Sequence, residues 1–215
     1  MRTVGWLLSF ALWSTASQTI NFDSAKPGAL PSGWIAVSQK SDGLPTWEVR
    51  KDSSAPSPPY VFAEVSNQNS GSVSPLAILN KMTVKDGDLS VKVKPVGGHE
   101  EPAGGLVWRY RDPNNYYLLR ANALENTIML YKVENGRTTP LESKGVRAFG
   151  VKHPVPANQW SVLKVQFHGP LFSVYFNHRR VFQVQDSTFA KAGKVGLWGE
   201  SGGVTYFDDF HIAGK

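Results

Sequence analysis

The chain has 215 residues, 41% hydrophobic and 12% aromatic, with 20 Gly, 14 Pro and no Cys. This length holds one β-sandwich with a substantial core and excludes two ordinary domains, while the lack of cysteine excludes a disulfide scaffold and a lipoprotein attachment site. The net charge of +6 comes from scattered basic residues, with Arg179-Arg180 the longest run, so no nucleic-acid stripe is present.

Residues 1–17 differ from the rest. Arg2 supplies a positive start, residues 4–13 form an apolar run too short for a membrane span, and Ser14-Thr15-Ala16-Ser17 offers small residues for cleavage. This pattern is that of a secretory signal peptide cut after Ala16 or Ser17. It predicts a periplasmic or secreted domain over 18–215, with no membrane span after cleavage and a monomeric state.

Residues 47–50, 60–65 and 75–80 read as strands, and the prolines of 51–59 and the polar run 66–72 mark surface loops. Asp86-Gly87 is a tight-turn signal before a strand at 87–93. Strict alternation there predicts Leu89, Val91 and Val93 inside, with Ser90, Lys92 and Lys94 outside. A loop at 95–102 carries His99, Glu100 and Glu101 into the next strands, a common place for ligand contacts.

Residues 103–134 then read as an antiparallel meander: LVWRY, a turn at 111–115, YYLLRANA, a turn at 124–126, and TIMLYKV. Pairing Tyr110 with Tyr117 sets Trp108 opposite Leu119 and Leu106 opposite Ala121 on an apolar face. Arg109 and Arg120 then fall on the other face. Setting Asn122 opposite Thr127 places Met129 and Tyr131 on that same face, and a one-residue slip would exchange Tyr131 for Lys132. Downstream, Asn135-Gly136 makes a hairpin turn and 143–159 a long connection. Strands at 160–167, 171–176, 181–184, 194–198 and 204–212 follow, with a short helical turn at 187–192. The whole pattern is all-β.

GGLVWRYRDPNNYYLLRAN, LYKVENG and GKVGLWGESGGVTYFDDF together resemble the concanavalin A-like, laminin G-like jelly-roll domains of bacterial extracytoplasmic proteins. The nearest relatives suggested are the 3-keto-disaccharide hydrolase family, loosely allied to family 16 glycoside hydrolases. The likeness spans roughly residues 19 to 213. It implies a two-sheet antiparallel sandwich in which the first strand, at 19–23, lies beside the last. It specifies fold better than activity.

Several motifs bear on chemistry. Gly199-Glu200-Ser201-Gly202-Gly203 has the letters of a nucleophile elbow, but a strand follows it where an elbow needs a helix, so it reads as a hairpin loop. The alternating acids that a retaining glycosidase would aim into one cleft at ~5–5.5 Å separation are absent. His99 with Glu100 and Glu101 is the one cluster suited to acid/base work, against the plain reading of solvated loop charges. Asp208-Asp209, with Asp23 on the presumed neighbouring strand, could supply oxygens to a structural Ca²⁺, or could be satisfied by amides and lysine. Most tryptophans read as core, Trp108 and Trp160 among them, with Trp198 ambiguous.

The outer meander face is the best candidate site. Arg109, Arg120, Asn122, Glu125 and Tyr131 could grip the hydroxyls of an oligo- or polysaccharide through fixed donor forks. A sheet face simply left to water is the alternative. Three function classes follow: a non-catalytic glycan-binding module, a hydrolase of modified (3-keto) glycosides using the His99 loop, and a structural envelope protein.

Overall fold

The computed structural model describes residues 16–39, 44–66, 75–98 and 102–215. Its strands are β1 (Ala16–Ile20), β2 (Trp34–Ser38), β3 (Trp47–Lys51), β4 (Tyr60–Glu64), β5 (Pro75–Val84), β6 (Gly87–Gly98), β7 (Ala103–Asp112) and β8 (Asn115–Asn122). They continue with β9 (Thr127–Glu134), β10 (Arg137–Pro140), β11 (Val151–Lys152), β12 (Ser161–His168), β13 (Leu171–Phe176), β14 (Arg179–Gln185), β15 (Gly193–Gly199) and β16 (Gly203–Gly214). One sheet runs β14-β13-β12-β6-β16-β4-β3 with β1 on β16, and the other runs β10-β9-β8-β7-β15-β5-β2 with β11 on β9. The described residues contain no helix, and the fold is an antiparallel jelly-roll sandwich.

The core lies between the sheets. Leu89, Val91 and Val93 of β6 face Leu106 and Trp108 of β7 across rings that include Phe62, Phe167, Phe172 and Phe207, all buried. Alternation sends every second residue of a half-buried strand inward, and this core is its sum. Trp108 stacks with Tyr117 at 5.4 Å and meets Phe172 edge-on at the same distance. The first strand does lie beside the last, with Ile20 opposite Phe210, though it begins at Ala16 rather than Thr19.

Some expected elements differ. β2 at 34–38 packs one partly buried face and was hidden by its short length, and β10 and β11 are short edge additions to β9. β6 extends through Pro95 to Gly98, where a loop was expected, because β16 pairs with it that far. No helical turn forms at 187–192; Phe189 is buried there against Tyr117 instead.

Candidate functional site

The β8–β9 register is the expected one, with Asn122 opposite Thr127, Arg120 opposite Met129 and Leu118 opposite Tyr131. The β7–β8 register is displaced by two residues from the expected one: Trp108 faces Tyr117 and Leu106 faces Leu119. A two-residue shift keeps the faces, because side chains alternate with period two. One row across the sheet therefore reads Met129, Arg120, Gly105, Trp198, Leu76.

This row lies on the outer face. Leu106, next to Gly105, belongs to the core, and a Cβ on Gly104 would lie 2.7 Å from Val93. On Gly105 a Cβ would sit 2.5 Å from the Leu119 carbonyl oxygen, so glycine is required there. The Leu118 side chain packs over this glycine, its Cδ1 2.9 Å from where the Cβ would lie. Above it is a cavity of about 200 Å³ lined by Tyr116, Leu118, Arg120, Tyr131, Trp198 and Glu200, among others. The floor beside it is apolar, with Leu76, Ile78, Val107, Leu118 and Trp198 packed as a second cluster outside the main core.

Arg120 is the electrostatic centre of this cavity. Its side chain is 15% exposed, with Nη1 3.5 Å from Glu125 Oε2 and Nη2 3.4 Å from Glu200 Oε2. Nη1 also donates to the Tyr131 hydroxyl at 3.5 Å, and that hydroxyl meets Met129 Sδ at 3.2 Å. Burial pulls the Arg120 pKa down, but Tyr131, Glu200 and Glu125 more than offset this and hold it above its ordinary value. Asn122, fully buried, accepts the Glu125 amide at 2.8 Å and so fixes the β8–β9 turn that carries this acid. A guanidinium held between two carboxylates and flanked by aromatic rings can bind polyhydroxylated ligands: hydroxyls hydrogen-bond to the charged groups, and apolar sugar faces pack on the rings.

Four of the five predicted binding residues, Arg120, Asn122, Glu125 and Tyr131, thus come together. Arg109 does not join them. A bulge between Trp108 and Asp112 places Arg109 at φ +48°, breaks the alternation, sends Tyr110 to the outer cluster and turns Arg109 inward, where it is 1% exposed. There Nη1 donates to Phe189 O at 2.7 Å and Nη2 to Gly169 O at 2.7 Å and Lys85 O at 3.2 Å. Phe167 and Phe172 flank the guanidinium, with Phe172 at 5.5 Å. Burial lowers the Arg109 pKa, while Tyr117 and Asp86 counteract it. Arg109 is a structural tie between three loops.

Trp198 and Glu200 were missed as a pair because they arrive on β15 and the turn directly after it, and no local pattern reveals the place of β15 beside β7. The one signal was the strand's own alternation, Leu197 in and Trp198 out. The GESGG segment is a glycine-rich turn followed by a strand, as expected, but not the hairpin loop that was expected: β15 and β16 belong to opposite sheets and do not pair, so the turn carries the chain from one sheet to the other. Trp160 is not core: it lies half-buried over Lys94, which also faces Tyr206 and pairs with Asp52. His99, Glu100 and Glu101 lie outside the described residues.

The acids proposed for calcium are engaged by the chain. Asp208 is buried; its Oδ2 accepts the Ser57 amide at 2.8 Å and its Oδ1 the Asp209 amide at 2.7 Å. Asp209 pairs with Lys92 at 2.7 Å, and Asp23 accepts the Tyr60 amide at 3.2 Å. Burial, with Asp209 and Asp23 nearby, pushes Asp208 up to about 6 against the pull of those amides. Among the described residues no group of three or more His, Asp or Glu is arranged to hold a metal ion. Thermal melts with calcium and with chelator are therefore expected to superimpose; a rise in midpoint with calcium would restore the metal site.

No family model matches the chain. A levanase of Bacillus subtilis is 28% identical over 113 residues, which are 52% of this chain and 15% of the levanase, so the chain spans only a small part of that enzyme. Among solved structures, the carbohydrate-binding module CBM66 from Bacillus subtilis matches with a TM-score of 0.61 at 22% identity, over 83% of this chain and 93% of that one. A Bacillus licheniformis β-glucanase matches with a TM-score of 0.57 at 12% identity, over 95% of this chain and all of the other. Among the described residues no helix is long and apolar enough to cross a membrane. At these identities the likeness is one of fold, and the fold is the concanavalin A-like jelly roll.

Proposed function

We propose that the chain is a glycan-binding module that holds a saccharide in the outer-face cavity between Arg120 and Trp198. The observation that carries this reading is the row Arg120–Gly105–Trp198, which sets a fixed charged donor and an aromatic ring on opposite sides of one cavity floored by Leu118. The likeness to a carbohydrate-binding module and to a levanase supports the ligand class and makes levan the first polysaccharide to test. Absence of alternating strand acids supports a non-catalytic role. We also read residues 1–17 as a secretory signal, which would leave most of β1 in the mature domain. Detection of a mature N-terminus at Ser17 or Gln18 in exported protein tests that part.

The binding role is tested by an NMR time course of the purified domain with levan fragments and a panel of oligosaccharides that includes 3-keto disaccharides. Line broadening without new reducing-end signals is the expected result. Growing reducing-end signals would make the chain a hydrolase, and no response across the panel would remove the saccharide.

A further inference from the structure

Glu64 is a buried acid that the proposed binding does not use. It ends β4, opposite Trp47 of β3 and Thr205 of β16, and is fully buried. Its Oε1 accepts the Ser66 amide at 2.7 Å, whereas its Oε2 has no hydrogen-bond partner among the described residues. A buried oxygen without a donor strongly disfavours the carboxylate form.

This carboxyl lies against the end of β15 and the turn after it, which carry part of the cavity wall. A Cβ on Gly199 would stand 2.6 Å from Glu64 Cγ, so the last residue of β15 must be glycine for the two to pack. The Ser66 carbonyl, two residues on, accepts the Gly202 amide at 3.2 Å, and Glu200 itself is held through its amide to the Ala103 carbonyl at 3.1 Å. Trp47, Thr205 and Ser66, packed around Glu64, carry no charge. Glu200 is the one charged group whose field acts on it among the described residues, and Arg120 stands beyond Glu200.

We infer that Glu64 is a proton-controlled support for the saccharide cavity: neutral, it seats the β15–β16 turn with Trp198 and Glu200 in the binding arrangement, and ionised, it unseats them. This rests on the outer-face cavity being the saccharide site. An anion created at Glu64 has no donor for one oxygen among the described residues and repels the Glu200 carboxylate. The β15–β16 turn must then yield, either to admit water to Glu64 or to move Glu200 away, and Arg120 loses one of the partners that hold it. Burial, reinforced by Glu200 and opposed by Ser66, raises the Glu64 pKa to about 7, so the change falls between pH 6 and 8.5. By linkage, a bound saccharide keeps Glu64 protonated.

The test compares the natural chain with Glu64→Gln, which keeps the shape and cannot ionise. Two readouts are taken at pH 6 and 8.5: the indole N–H signal of Trp198 without ligand, and affinity for short levan oligosaccharides. The natural chain should show a titrating indole signal and an affinity loss of about tenfold, in the range of coupling between sites. Glu64→Gln should show neither. A flat indole signal in the natural chain, or an identical titration in Glu64→Gln, overturns the inference. Failure to bind levan at either pH counts against the saccharide reading, and the indole comparison then decides the Glu64 coupling by itself.

Discussion

Arg109→Ala should lower the unfolding free energy by about 3–5 kcal/mol, the size expected when a buried, multiply bonded charge is removed and its partners are left behind. The carbonyls of Lys85, Gly169 and Phe189 each lose their guanidinium donor, and the rings of Phe167 and Phe172 lose the flat group packed on them. For a domain of this size that is roughly 10 °C in melting temperature. Arg109→Lys should recover only part of it, because one compact ammonium does not reproduce the planar fork of donors that reaches the carbonyls of three loops. Saccharide affinity of the folded protein should stay within twofold, since Arg109 faces away from the cavity. Urea titrations together with binding measurements check both halves. A stable Arg109→Ala variant that has lost its ligand would reverse the assignment of the two arginines.

Arg120→Ala should do the opposite. Removing the group that sits between Glu125, Glu200 and Tyr131 takes away the only guanidinium lining the cavity among the described residues and leaves both carboxylates without it. Loss of charge-assisted bonds to sugar hydroxyls is worth about 1.5–3 kcal/mol, which is roughly ten- to a hundredfold in affinity for levan or whichever saccharide binds. The side chain is close to the surface, so the melting temperature should move by only a few degrees. Titration calorimetry and thermal melts on the same sample measure the two effects.

The contrast between these arginines shows where the sequence was legible. The strands of the meander, their turns and the β8–β9 register were readable because aromatic and branched residues alternate against Asn, Asp and Pro in the gaps. Arg120, Asn122, Glu125 and Tyr131 followed from that register. Arg109 was misplaced because alternation assumes an unbroken ladder, and nothing in WRYRD signals a bulge with a positive φ at a non-glycine residue. The β7–β8 pairing was displaced for the same reason: the bulge takes residues out of the ladder before the turn.

Trp198, Glu200 and Glu64 were out of reach for a different cause. They join the site through strand order, with β15 inserted between β7 and β5, and β4 set against the start of β16. Strand order in a jelly roll is decided by how the whole core closes, not by any one segment. GESGG could be recognised as a turn before a strand, but it was read as a hairpin because nothing local shows that β15 and β16 belong to opposite sheets. Gly105 is similar: its glycine was visible, whereas its position between an arginine and a tryptophan needed the neighbouring strands.

The most direct test of the saccharide site is a map of amide and side-chain NMR shifts as levan oligosaccharides are added to the folded domain. The account predicts that the largest shifts fall on Arg120, Tyr131, Trp198 and Glu200, with Gly105 beneath them. Shifts centred on the opposite sheet, around Lys164, Tyr175 and His178, with the Arg120 row unmoved, would contradict it.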